Sequence, residues 1–192
     1  MPKIEAGSVR EHRAQRLAQL IDAAEAILSD GGVEALTAGA VSARAGIARN
    51  SIYRYFDSID DLLELLVARE FPAWTAAVEE AVAAEDTPGA QVAAYVRANL
   101  EQAARGTHGW RASLSRGSLS PSARQRVRKL HTTLHEVLAA SVDDLGDTQP
   151  ELTVAVVQAV TDACVRRIDQ GDDLQAVSAY ATDAVRRLLA RG

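Results

Sequence analysis

The chain has 192 residues, is 47% hydrophobic with few aromatics, and carries a formal net charge of -5. That apolar content excludes a disordered chain, no apolar run is long and uncharged enough for a bilayer span, and the opening MPKIEAGSVREH lacks the apolar core of a signal peptide. One cysteine, Cys164, excludes an internal disulfide and a Cys-rich metal site, so a cytoplasmic protein without membrane contact is the expectation, built as one large domain or two small ones.

Nearly everything reads as helix. Leu17, Leu20, Ile21, Ala24, Ile27 and Leu28 follow helical spacing, and Gly31-Gly32 stops that helix. Thr37 caps a short helix to about Ala45, Gly46 turns the chain, and a third short helix runs from about Arg49 to Tyr55. Ser58-Ile59-Asp60-Asp61 resembles a capping box with Asp in place of Glu. The helix it opens has the apolar face Ile59, Leu62, Leu63, Leu66, Phe71, Trp74, Val78 and Val82. Pro72 inside it must kink or restart the helix, because proline lacks an N–H and clashes one turn back. Thr87-Pro88 and Ser120-Pro121 each open a further helix as cap and first position. Between them GTHGWRASLSRGS suggests a short helix over Trp110 to Ser115. Gly146 ends the helix from Pro121, and two more run from about Glu151 to Asp169 and from Asp173 to Leu189. The expectation is an all-α fold of about nine helices.

The last two helices bear on assembly. Leu152, Val154, Val156, Val157, Val160, Cys164, Val165 and Ile168 cover more than one face, so the Glu151 helix needs burial on most sides. Leu174, Val177, Ala181, Ala184 and Leu188 repeat at three-then-four spacing in the last helix, a seam for packing on another helix. Contributed twice, the pair makes an intermolecular four-helix bundle, with Leu152, Val156 and Val160 joining the seam in the interface. The alternative is that both helices close the core of a monomer.

The charge is uneven. Residues 1–58 hold seven Lys/Arg and seven Asp/Glu, so the surplus acid lies after Ser58. A sequence pI near 5.4 argues against a surface coated for nucleic acid and is compatible with one local DNA-binding face. Thr37 to Phe56 reads TAGAVSARAGIARNSIYRYF: short helix, glycine turn, short helix, the plan of a helix-turn-helix. Val41, Ala45, Ile47 and Ile52 are placed to pack this pair on the first helix. Arg49, Asn50, Ser51 and Arg54 then lie on or near the exposed side as donors to bases and phosphates. Tyr53 and Tyr55 offer phenol O–H groups to phosphates while their rings brace the helix, and Phe56 anchors its end.

The first ~65 residues resemble the DNA-binding domain of the TetR family of transcriptional regulators, through AAEAILSDGGVEALT, RAGIARNSIYRYF and a Leu-rich helix opening with DDLL. The resemblance implies a DNA-binding head over 1–58 and an effector-binding and dimerisation domain over 59–192. It implies DNA contacts at Thr37, Ala38 and Gly39 and at Arg49, Asn50, Ser51, Tyr53, Arg54 and Tyr55. It also implies a ligand-responsive repressor that binds a pseudo-palindromic double-stranded operator as a homodimer and answers to a small-molecule effector. Three positions depart from the family pattern: Ile59 replaces a frequent lysine, Ala48 a capping Ser or Thr, and Gly39 a larger residue. Fewer phosphate contacts follow, hence a shallower salt dependence than a lysine-bearing relative has.

For a ligand pocket, polar or aromatic residues on apolar stripes are the candidates: Trp74, Tyr95, Asn99, Trp110, His131 and Asp162. A buried Asn or His needs partners, which a ligand or core hydrogen bonds supply equally well. His131 and His135 share a helix face but have no third ligand at metal spacing, and Cys164 reads as a buried, inert thiol. No Ser-His-Asp order, phosphate loop or paired-carboxylate site stands out, so neither an enzyme nor a cofactor is expected. The competing functions are a helical small-molecule-binding protein with weakened or lost DNA recognition, favoured by Ile59 and Ala48, and a metal or redox sensor.

Overall fold

The structure is a computed structural model that describes residues 6–105 and 121–190, with side chains placed over 9–105 and 132–190. Eight helices stand among the described residues: α1 (Ala6–Ala35), α2 (Ala38–Ala45), α3 (Arg49–Ile52), α4 (Ile59–Ala83), α5 (Pro88–Arg105), α6 (Pro121–Asp143), α7 (Pro150–Asp169) and α8 (Leu174–Leu189). No strand occurs among them. The expected helix around Trp110 lies outside the described residues.

The ends of the elements follow local chemistry. Gly32 leaves the helical region at φ 70°, ψ -171°, so α1 is in effect broken there before a last turn to Ala35. A Cβ on Gly31 would sit 2.8 Å from the Ala35 Cβ, so this break needs its glycine pair. Thr37 accepts from the Ala40 N–H at 3.1 Å and Ser58 from the Asp61 N–H at 3.1 Å, which satisfies one orphan donor at the start of α2 and of α4. Asp173 caps α8 in the same way, accepting from Ala176 N–H at 2.8 Å. At α7 the cap position is Gln149, which makes no side-chain cap. Asp147 does the work from two residues earlier, accepting from the Gln149 N–H at 2.9 Å and from the Thr153 hydroxyl. Those bonds hold its carboxyl below the usual carboxylate range. α4 runs unbroken from Ile59 to Ala83 with Pro72 inside it, so the proline does not restart the helix.

Packing falls into two groups joined by α4. α1 packs on α2, and α2 on α3, around Leu20, Ala24, Ile27, Val41, Ile52 and Phe56. In the second group α5 is central and touches α4, α6, α7 and α8. Its run Val92-Ala93-Ala94-Tyr95-Val96 is buried without a break, because the small alanines let neighbouring helices approach on several sides. The helix surrounded on most sides within the chain is therefore α5. α7 buries Val154, Val157, Thr161 and Cys164 and leaves Leu152 58% and Val156 36% exposed. α4 meets α1 on one side and α5 and α6 on the other. Across the α1–α4 contact, Arg69 pairs with both Asp22 and Glu25.

Candidate nucleic-acid interface

α2 and α3 are held by a small apolar centre. Val41 and Ile52 are fully buried, Phe56 nearly so, and Ala45, Ile47 and Tyr55 pack against them. Gly46 makes the turn between them at φ 63°, a left-handed conformation that costs a side-chain-bearing residue about 1 kcal/mol or more. Its N–H reaches back to the Ala43 carbonyl while the Ile47 N–H bonds the Ser42 carbonyl at 3.0 Å, so the end of α2 is closed.

α3 is only four residues, Arg49–Ile52, shorter than the span to Tyr55 that the sequence suggests. Ser51 N–H bonds Ala48 O at 2.7 Å, Arg54 N–H bonds Ser51 O at 3.3 Å, and Tyr55 N–H bonds Ile52 O at 2.9 Å, so the chain continues as turns. Ala48 at the cap position supplies no side-chain bond. With so little regular helix and no cap, this segment needs outside support. Arg13 of α1 supplies it: its guanidinium donates to the Arg54 carbonyl at 3.0 Å and lies over the Tyr55 ring, 5.9 Å from the centroid. A cation at the end of a helical segment also suits its carbonyl dipoles.

The residues named for DNA contact divide by exposure. Arg49, Asn50 and Arg54 are exposed, Tyr53 is 50% exposed, and Thr37 stands free of the core at the start of α2. Ser51, Ala38, Gly39 and Tyr55 are half-buried. The nearest contact for a Cβ on Gly39 would be 3.9 Å away at Thr37 Oγ1, so packing does not demand the glycine. Ile59, at the lysine position, is half-buried against the core.

The head's neutrality hides a polarity. Three of its acids are tied down: Asp22 and Glu25 by Arg69, and Asp30 by Arg44 at 2.7 Å. Among the described residues no carboxylate pairs with Arg49 or Arg54. The free cations therefore gather on the side of α3.

Four of the six residues named for a ligand pocket, Trp74, Asn99, Tyr95 and Asp162, fall on one hydrogen-bond chain. Trp74 Nε1–H donates to Asn99 Oδ1 at 2.9 Å, and Asn99 Nδ2–H to the Tyr95 carbonyl at 2.8 Å. The Tyr95 hydroxyl donates to Gln158 Oε1 at 2.8 Å, and Gln158 Nε2–H to Asp162 Oδ1 at 2.8 Å. This chain crosses from α4 through α5 to α7. Asn99 thus has core partners, one of the two ways of satisfying it. Burial first, and the nearby Asp162 carboxylate second, push the Tyr95 phenol up and keep it a donor. Asp162 itself is exposed. Trp110 and the His131 side chain lie outside the described residues. An open groove of about 680 Å³ lies elsewhere, between the end of α5 and the start of α8, lined by Glu101, Ala104, Arg105, Leu174, Gln175, Ser178 and Ala179.

On the assembly faces, Leu152 and Val156 point outward, Val160 is half-buried, and Tyr180 is 75% exposed. Leu174, Val177 and Leu188 are half-buried against their own chain's core, and Ala184 is half-buried. Ala181 is fully buried and has no surface left for a partner, which corrects its place in the seam. The reason is that α8 lies on α5, so the three-four stripe is largely satisfied within the monomer. Cys164 is buried, and burial raises its thiol pKa. No group of three metal-ligating side chains occurs among the described residues.

Sequence reasoning missed Arg13, Arg69 and Gln158. For Arg13 a signal existed: it sits where the α1 core stripe would place an apolar residue. For Gln158 and Arg69 none did, because their partners are 63 and about 45 residues away in sequence and only packing joins them.

A family model described as bacterial regulatory proteins of the tetR family matches residues 20–66, from the middle of α1 into the start of α4. The transcriptional regulator BetI of Burkholderia mallei is 34% identical over 130 residues, which span 64% of this chain and 67% of that protein. The transcriptional repressor KstR of Mycolicibacterium smegmatis is 40% identical over 78 residues, 41% of this chain and 38% of that one. In fold, the chain is similar to the transcriptional regulator FadR of Bacillus subtilis, solved in complex with stearoyl-CoA, with a TM-score of 0.73 over 88% of this chain and 96% of that one at 20% identity. The chain belongs to the TetR family of bacterial transcriptional regulators.

Proposed function

We propose that the protein is a ligand-responsive repressor whose homodimer binds a pseudo-palindromic operator through α2 and α3. The observation that carries this is the exposed, unpaired cationic surface of α3, with Arg49, Asn50 and Arg54 outward while Ile52 and Phe56 anchor the segment. Arginine and asparagine are the side chains that bond guanine and adenine edges bidentately in the major groove. Thr37, Ala38 and Gly39 at the start of α2, and Ser51, Tyr53 and Tyr55, supply the remaining contacts. Residues 1–58 act as the head and 59–192 as the effector and dimerisation domain. The exposed Leu152 and Val156 on α7, with half-buried Val160 one turn further along and Tyr180 exposed on α8, support a self-complementary interface. Two recognition segments about 34–36 Å apart, or a multiple, then meet successive grooves on one side of the duplex.

An effector can shift operator binding only by preferring one arrangement of the body. The route to the head is α4, through the Arg69 pairs with Asp22 and Glu25 on α1. Trp74 on α4 belongs to the hydrogen-bond chain through Asn99 and Tyr95, so a ligand that displaces it acts directly on α4.

Selection of bound duplexes from a random pool is the test. A two-fold symmetric consensus is expected, bound by one dimer. Arg49→Ala should then lower discrimination between that operator and random DNA by roughly 1–3 kcal/mol per base contact. Failure to enrich any sequence, or an unsymmetric half-site bound by a monomer, overturns the reading.

A further inference from the structure

α1 is longer than the core it serves. Its apolar line is Leu17, Leu20, Ala24 and Ile27, with Leu20 and Ala24 fully buried and Leu17 half-buried against the core. Followed toward the N-terminus at the same three-four spacing, that line passes through Arg13 and then Arg10. At these two positions the stripe that faces the head core turns from apolar to guanidinium. Both side chains are exposed, so the helix overhangs the core by more than a turn. The direction of the overhang is set by contact: Arg13 donates to the Arg54 carbonyl at 3.0 Å and covers the Tyr55 ring. Arg10 lies one turn further out on the same side, about 4.5 Å along the axis.

We infer that Arg10 and Arg13 form a phosphate-binding extension of the recognition surface, which grips the duplex backbone beside the groove that α3 reads. The inference rests on the proposed DNA binding and adds residues outside both helices of the helix-turn-helix. Three observations support it. Among the described residues no carboxylate pairs with Arg10, Arg13 or Arg54. Glu11, the acid beside them, is about 100° round the helix from Arg10 and on the side away from Arg13. Ile59, half-buried against the core, adds no cation at the start of α4, so a backbone grip must come from another edge of the head. An arginine needs no fixed base partner to hold a phosphate, and each such contact releases counterions. The guanidinium of Arg13 keeps donors to spare after its bond to Arg54.

The test uses the full chain on a short random-sequence duplex and on the selected operator, with affinity measured between about 50 and 200 mM salt. Arg10→Gln should flatten the slope of log affinity against log salt by about 0.9 per head, about 1.8 for a dimer, on both duplexes alike. Arg10→Lys should restore the slope. The ratio of operator to random affinity should stay constant, unlike that of Arg49→Ala. Arg13→Gln should flatten the slope as well, and its melting temperature separates this from any loosening of Tyr55. An unchanged slope for Arg10→Gln, with wild-type binding intact, overturns the inference and leaves the proposed function standing. A loss confined to the operator overturns it too, since it would make Arg10 a base reader. A wild-type chain that binds neither duplex removes both.

Discussion

The head and the body solve the same packing problem with different resources. In the head, a helix of four residues and one of eight are held by a handful of buried side chains, chiefly Val41, Ile52 and Phe56. In the body, helices of 16 to 25 residues surround α5, which is buried along nearly its whole length. The head also carries its free cations outward, while the chain's surplus acid lies after Ser58. The difference teaches that the head's shape is locally underdetermined. α3 has too few residues to be helical alone, so its geometry depends on a small core and on Arg13. The body's larger core also holds hydrogen-bonded polar groups, Trp74, Asn99 and Tyr95.

The sharpest way to break this comparison is Ile52→Ala. Ile52 is fully buried, and truncation should cost about 2–5 kcal/mol through lost burial and the cavity left behind. In a head this small the expected result is loss of operator binding with most of the helical circular dichroism retained in the body. Equal melting of both regions in one transition would mean that head and body are a single cooperative unit.

A smaller effect is expected in the body from Asn99→Leu. It leaves the indole N–H of Trp74 without the Asn99 oxygen it now bonds at 2.9 Å, at about 1–3 kcal/mol. Denaturant unfolding should show this as a lower midpoint at an unchanged slope. A neutral result would mean that the core tolerates the exchange and that the polar chain is kept for another reason. A tightened effector response in this variant would locate that reason on α4.

The smallest effect is expected at the junction. Ser58 caps α4 through the Asp61 N–H, and Ser58→Ala should cost about 1 kcal/mol. Hydrogen exchange should report faster opening over the first turn of α4 and leave α5 untouched. Faster exchange in α2 and α3 as well would show that the cap also steadies the head.

Much of the architecture was legible because it is written in short-range signals. The caps at Thr37, Ser58 and Asp173, the glycines at 32 and 46, and the proline at 88 act within four residues of themselves. Asp147 is not legible as a cap because it acts on α7 from outside the usual position, two residues before Gln149. The four-residue α3 was read too long, since periodicity cannot tell a helix from a run of turns with the same spacing. In the candidate site, the outward position of Arg49, Asn50 and Arg54 followed from the helix-turn-helix pattern. Arg13 did not, because the pattern stops at its own two helices.

By itself the sequence determined the all-helical class, most of the helix starts and stops, the family and the segment that faces outward. Those depend on spacing, capping and turn chemistry, which act along the chain. Only the tertiary structure decided which helix is central, which acids are neutralised and which apolar stripe remains free. A stripe such as Leu174 to Leu188 records that a helix will pack, and only the folded chain shows α8 lying on α5 and α7 with Ala181 fully buried. Hydrophobic burial has no direction along the sequence, so its pattern names a face and leaves the neighbour to be settled in three dimensions.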